Sequence, residues 1–327
     1  MRRYLKSVIF GLFFLAVFFL LLRQVSVSDL VLSFKNIKWQ FLVLGFLSYL
    51  FVNVIRAYRF NMILRDRVGF FRFLRITFFQ NFYNVILPFR MGELSYVYLV
   101  GKSGNIGLGE NIASLVSVRI IDLIVSVGIF LFSIIFITAK ESAIFTWFAV
   151  TVLILALLFF TILIFFGVGL ASLSMNFLDK INFLKTPLLK EKTKKIQEFF
   201  ISFGELKKRG LIFKIAALSI AVNGFLFTSG LLLLHSVSVI LPVWQLIFAY
   251  SFPLFVSMTP FYAFGGFGSY ESSTALALFI LGLSKDKAIA SALILHAEEL
   301  IFVILPAFAV LAFIGLKNVT FKPKKEF

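Results

Sequence analysis

The chain has no cysteine. That removes disulfides, thiolate metal sites and cysteine nucleophiles from consideration. Charge is scarce too: Asp, Glu, Lys and Arg make up 14% of the 327 residues, against about a quarter in soluble domains. Acidic residues are the scarcer sign, 15 against 32 Lys and Arg, for a net charge of +17. Neither an H-E-x-x-H string nor a P-loop occurs, so zinc-hydrolase and nucleotide-driven chemistry have no anchor. His296 beside Glu299 is too little for a zinc site, which takes about four ligands. No metal and no cofactor is expected.

Hydrophobic residues, by contrast, reach 61%, with 46 Phe and a mean hydropathy of +1.02. A soluble fold of this size cannot hide so much apolar surface. A soluble enzyme, a disordered chain and a fibrous protein are excluded. Residues 1–327 read as a single integral membrane domain, with the phenylalanines as lipid-facing bulk. The cations sit mostly in loops, where they set topology and meet anionic headgroups. Nucleic acid is not expected as a partner; membrane lipids and the anionic cytoplasmic leaflet are.

Apolar stretches long enough to matter in a bilayer run over 7–22, 39–55, 76–100, 111–138, 143–168, 211–235, 239–259, 261–283 and 287–316. The first, after Met1-Arg2-Arg3, reads as an uncleaved transmembrane helix, because Leu22, Arg23 and Gln24 make a poor cleavage site. Basic blocks stand at residues 2–6, 56–75, 180–209 and 317–325. The positive-inside rule puts all of them, and both termini, in the cytoplasm of a cell-membrane protein. Two inside blocks need an even number of crossings between them. Three stretches lie between the second and third blocks, so one must enter and leave on the same side. Stretch 76–100 is the candidate, broken by Pro88 and Gly92 with Arg90 and Glu93 at the break. Stretch 239–283 is broken likewise, by Pro260 and Gly265-Gly266-Phe267-Gly268, with Glu271 after.

The expected fold is therefore all-α: about six full transmembrane helices plus two re-entrant helical hairpins, in eight to nine hydrophobic segments. The hairpins fall in a weak repeat of opposite orientation, 39–138 and 211–316, joined by a basic amphipathic connector over 169–210. In the first unit Glu93 precedes Asp122 by 122−93 = 29; in the second Glu271 precedes Glu299 by 299−271 = 28. Inverted repeats with broken helices commonly build a central transport site.

Ionisable residues within membrane segments are functional candidates by default. The candidates for substrate binding are Arg59, Gln80, Asn84, Arg90, Gly92, Glu93, Arg119, Asp122, Gly265, Gly266, Gly268, Glu271 and Glu299. Plainer readings stand beside them. Arg119 and Asp122, at i,i+3, are spaced for a structural ion pair. Arg56 and Arg59, at the end of the second helix, suit snorkelling at the interface. Asn81, with Gln80 and Asn84, suits interhelical hydrogen bonding, and the glycines suit close packing. In favour of function, half-helix ends leave free N–H groups that cradle phosphate, and arginines add bidentate contacts.

Residues Ile55–Arg59, Gln80–Glu93, Arg119–Asp122 and Pro260–Glu271 resemble the flippase-type transmembrane domain of lysylphosphatidylglycerol synthases. The most specific pieces are P-x-R-x-G-E at Pro88–Glu93 and G-G-x-G-x-x-E at Gly265–Glu271. The chain departs from the pattern at Phe264, at Ser95 and Tyr96, and at Val118; these bear on the lipid rather than the fold. The resemblance implies a lipid-translocating domain with re-entrant helices and a central cavity, in a stand-alone form lacking the soluble synthase domain. The expected function is flippase-like translocation of an anionic or lipid-linked substrate, and no catalytic motif marks an enzyme. The alternatives are an accessory subunit for a separate glycosyl- or aminoacyl-transferase, and a membrane-embedded enzyme using Glu271 or Glu299 as base.

Overall fold

The structure is a computed structural model and describes residues 35–87, 92–103, 106–138, 209–257 and 264–314, with Phe19, Gly204 and scattered positions between 147 and 158. The expected first transmembrane helix, most of stretch 143–168 and of the amphipathic connector, Arg90, Pro88 and Pro260 lie outside the described residues.

The described chain is all-helical. The helices are α1 (Trp39–Ile63), α2 (Phe70–Ile86), α3 (Gly92–Ser103), α4 (Leu108–Thr138), α5 (Leu211–Ser236), α6 (Val243–Ser257), α7 (Ser269–Ile280) and α8 (Lys285–Ile314), with a tight turn at Phe264–Gly266 before α7. A helix of about 20 apolar residues spans the hydrocarbon core. Among the described residues α1, α4, α5 and α8 meet that length and composition. This is a multi-pass membrane protein.

The short helices come as pairs, and the first pair doubles back. Gly92 opens α3 against the last turns of α2, close to Gln80 and Asn84. At the other end of the pair Arg72 Nη1 donates to the Ser103 carbonyl at 2.7 Å. With 17 residues out and 12 back, the chain returns to the end it left. α6 and α7, 15 and 12 residues long, form a second pair of short helices packed on each other.

Two boundaries differ from the hydropathy reading. α1 runs on to Ile63, carrying Arg56 and Arg59 inside the helix, and α2 begins at Phe70, ahead of Arg72 and Arg75. The interfacial reading of Arg59 is thereby corrected: it is 1% exposed. Buried counter-charges, described below, let the helix continue where hydropathy falls. The turn between α1 and α2 is tight, with Arg65 and Asp66 both at φ 57° and Gly69 at φ 85°. Asn61 Oδ1 accepts the Gly69 N–H at 3.1 Å and its amide donates to Asp66.

The most extensive helix contact is α1 on α5, and the two run antiparallel. Lys38 N–H meets the Ser236 carbonyl at 3.0 Å. Ser229 Oγ donates to the Gly45 carbonyl at 2.8 Å, and Ser48 Oγ to the Phe225 carbonyl at 2.7 Å. A Cβ at Gly45 would lie 3.4 Å from Ser229 O, so the small residue sets how closely the backbones approach. Around this pair the short helices cross over: α2 packs on α8 and α6 on α4. Phe82 meets Phe308 edge-on, while Trp244 stacks on Phe136 with centroids 4.4 Å apart.

Two apolar cores result. One gathers Phe60, Phe73, Ile76, Tyr96 and Val118 from the first four helices. The other gathers Leu234, Leu246, Leu278 and Leu295 from the last four. Trp39, Phe51, Phe71, Phe213 and Phe313 face outward, as lipid-facing bulk should. At one end of the molecule Arg67 pairs with Glu110 and Arg209 Nη1 donates to the Ile63 carbonyl at 3.1 Å. That end is the basic one.

Candidate functional site

In each pair of short helices a glycine stands at the start of the second helix, with a glutamate in its first turn. The N-terminus of a helix carries partial positive charge, which favours a carboxylate there.

At the first tip, Glu93 Oε1 lies 2.9 Å from Arg119 Nε of α4. Both side chains are about one-third exposed. Asp122, one turn further along α4, is gripped from another helix: Arg59 of α1 places Nη1 at 2.6 Å from Oδ1 and Nη2 at 2.8 Å from Oδ2. Arg59 Nη1 also reaches Ser219 Oγ of α5 at 2.5 Å. The i,i+3 pair expected on α4 is corrected accordingly. A two-pronged guanidinium fork from α1 meets the Asp122 carboxylate squarely, and Arg119 is left to the tip. Arg56 lies within electrostatic reach of Arg59, Arg119 and Asp122, and its Nε is buried without a hydrogen-bond partner. Three arginines thus face two carboxylates.

Gly92 is required by space. A Cβ there would sit 2.4 Å from Gln80 O and from Asn84 Oδ1. Gln80 is 2% exposed, and its Nε2 has no hydrogen-bond partner. Asn81 stitches α2 to α1, donating to Asn53 Oδ1 at 2.7 Å and to the Tyr49 hydroxyl at 3.0 Å.

The second tip is built on backbone only glycine adopts easily, with Gly265, Gly266 and Gly268 at φ 64°, 77° and 79°. Glu271 Oε2 accepts the Gly268 N–H at 2.7 Å, as a glutamate in the first turn does in a capping box. Its other oxygen lies 2.7 Å from His296 Nδ1, and His296 Nε2 lies 2.8 Å from the Gly265 carbonyl. Tyr270 donates to Glu299 Oε1 at 2.9 Å. Glu298, on the other side of α8, meets Ser236 of α5 at 2.9 Å.

The tips meet their long helices at matching depths. Arg119 lies 119−108 = 11 residues into α4 and His296 lies 296−285 = 11 into α8. Asp122 and Glu299 follow at 122−108 = 14 and 299−285 = 14. At 1.5 Å per residue both contacts fall about 16 Å from the helix start, roughly a third of the way along each helix. Tyr49 and Tyr250 stand between the halves, each within electrostatic reach of both Arg56 and Glu299. Among the described residues no three His, Asp or Glu side chains gather as a metal cradle.

The description lysylphosphatidylglycerol synthase TM region matches residues 5–307. The chain belongs to that family. No curated protein and no solved structure matches it. The family ties the chain to lipid modification or translocation in the membrane.

Of the residues read from sequence in this family member, Arg59, Glu93, Arg119 and Asp122 come together at the first tip. Gly265, Gly268 and Glu271 share the second network, and Glu299 is tied to it through Tyr270. Gln80 and Asn84 flank Gly92. Sequence reasoning passed over Ser219, Tyr49 and Tyr270, and weighed His296 only as an incomplete metal site. The signal for His296 was present: it stands three residues before Glu299 as Arg119 stands three before Asp122.

Proposed function

We propose that this protein translocates an anionic or lipid-linked membrane lipid between leaflets, the headgroup passing the arginine cluster at the first tip. The observation carrying this reading is the surplus guanidinium. Among the described residues, Arg56, Arg59 and Arg119 face two carboxylates, Glu93 and Asp122, and Arg56 Nε is buried without a hydrogen-bond partner. A half-buried guanidinium whose Nε lacks an acceptor favours an incoming phosphate, which guanidinium binds through paired hydrogen bonds. The acidic second half, with Glu298 and Glu299, balances the field or meets a cationic group on the substrate.

The packing supports an inverted repeat. Antiparallel α1 and α5 sit at its centre, and each short-helix pair packs on the long helix of the other half, α2 on α8 and α6 on α4. It also supports re-entrant hairpins, since Arg72 and Ser103 meet at one end. The basic end carrying Arg65, Arg67 and Arg209 faces the cytoplasm of the cell membrane by the positive-inside rule.

The test is purified protein alone in liposomes carrying fluorescent phosphatidylglycerol, read by leaflet-selective quenching. Translocation by the protein alone is expected. Movement that appears only when a separate transferase is added would replace this reading with the accessory-subunit one.

A further inference from the structure

We propose that Glu271 and His296 form a one-proton store under the second tip, and that this proton is the coupling ion for lipid movement. The coupling half rests on the proposed function; the store itself does not.

The hydrogen-bond inventory requires the proton. The Gly265 carbonyl can only accept, so Nε2 of His296 carries hydrogen. Nδ1 then faces a Glu271 oxygen at 2.7 Å, a distance at which one hydrogen must lie between them. A neutral imidazole has one N–H and cannot serve both acceptors. The couple therefore holds one proton more than a carboxylate and a neutral ring hold together. Glu271 is 1% exposed and His296 3%. Loaded, the couple is net neutral; emptied, it is a buried unit of −1 with a ring nitrogen turned toward an oxygen. Burial makes that state costly where it stands.

Losing the proton therefore breaks a contact. Either Glu271 or the Gly265 carbonyl loses its hydrogen bond to the ring. Both anchor the glycine turn, Gly265 directly and Glu271 through the Gly268 N–H. The proton pins the tip, and its departure frees a segment whose glycines at positive φ already permit large backbone change. One proton binds from one side of the membrane and leaves to the other, with no other bond made or broken.

The surroundings do not substitute for that proton. Tyr270 stacks on the ring with centroids 4.7 Å apart and spends its hydroxyl on Glu299; Phe267 closes the ring edge-on at 5.0 Å. α8 itself adds Glu298, bonded to Ser236 of α5. α6 offers Tyr250 and α1 offers Tyr49, each within reach of Glu299. α2, which packs on the turn, carries Tyr83 and, at its start, Arg72 and Arg75.

The chain has 2 histidines, so 15N-histidine NMR in nanodiscs resolves His296 once His235→Gln removes the other signal. At neutral pH the expected result is an imidazolium with two N–H groups, or a single N–H ring accompanied by a protonated-carboxyl infrared band that Glu271→Gln abolishes. A single N–H ring with no such band overturns the store. For coupling, proteoliposomes holding fluorescent phosphatidylglycerol are given a gradient of one pH unit. A one-proton cycle shifts the steady-state leaflet ratio toward about tenfold, and Glu271→Gln and His296→Gln each hold the ratio near one. Movement in the unaltered protein with a ratio indifferent to the gradient overturns the coupling and leaves translocation standing. No movement at all sinks the proposed function, while the NMR result on the unaltered chain still decides the store.

Discussion

Arg59 and Asp122 lie 63 positions apart, on α1 and α4, and close a two-pronged ion pair at 2.6 and 2.8 Å. The pair ties the first long helix of its half to the last, and Ser219 brings in α5 from the other half. Arg59 thus joins three spans through one charged side chain, and the tip contacts of Glu93 and Arg119 are built beside it.

Removing either member strands the other in low dielectric. Arg59→Ala and Asp122→Ala should each destabilise the protein by about 3–5 kcal/mol, and the double variant by less than their sum. Thermal unfolding in detergent of both singles and the double measures the coupling. Strict additivity would mean the pair is not a unit.

Gly92→Ala should destabilise by about 1–3 kcal/mol, because the new methyl would press on Gln80 O and on Asn84 backbone nitrogen. Gly230→Ala should do the same, with the Tyr250 ring 2.3 Å from the added carbon. Gly128, with nothing within 4 Å, serves as the control, and its change to Ala should be tolerated. The same unfolding measurement ranks the three; equal responses would contradict the packing.

The doubled-back pair makes a topological prediction. Single cysteines at Arg75 and Lys102, introduced into a chain that has none, should react with a membrane-impermeant thiol reagent from the same side. A cysteine at Lys38, at the opposite end of α1 from the basic turn, should react from the other. Opposite-side labelling of the first two positions would mean that α2 and α3 together cross the membrane.

Much of this was legible in the sequence. The all-helical membrane fold follows from composition, and both breaks follow from Pro and Gly beside Glu. The partners of the charges were not. Hydropathy weighs Arg56 and Arg59 as the end of a span, because it cannot see Asp122 waiting 63 positions away. Spacing on one helix offered Arg119 to Asp122, yet a guanidinium from another helix fits that carboxylate better. His296 was set aside as an incomplete metal site. Its partners, a carbonyl and a carboxylate on the glycine turn, are set by the fold and leave no local mark in α8.

The most direct test of the central claim compares two lipids in one reconstituted system. Leaflet-selective quenching follows fluorescent phosphatidylglycerol and fluorescent phosphatidylcholine in liposomes carrying the purified protein or its Arg119→Gln variant. A charge-assisted contact worth about 1.5–3 kcal/mol corresponds to roughly ten- to hundredfold in rate. Faster movement of phosphatidylglycerol by the unaltered protein is predicted, with most of that preference lost in Arg119→Gln. Equal rates for the two lipids, or a preference untouched by the substitution, would contradict the assignment of the arginine cluster to an anionic headgroup.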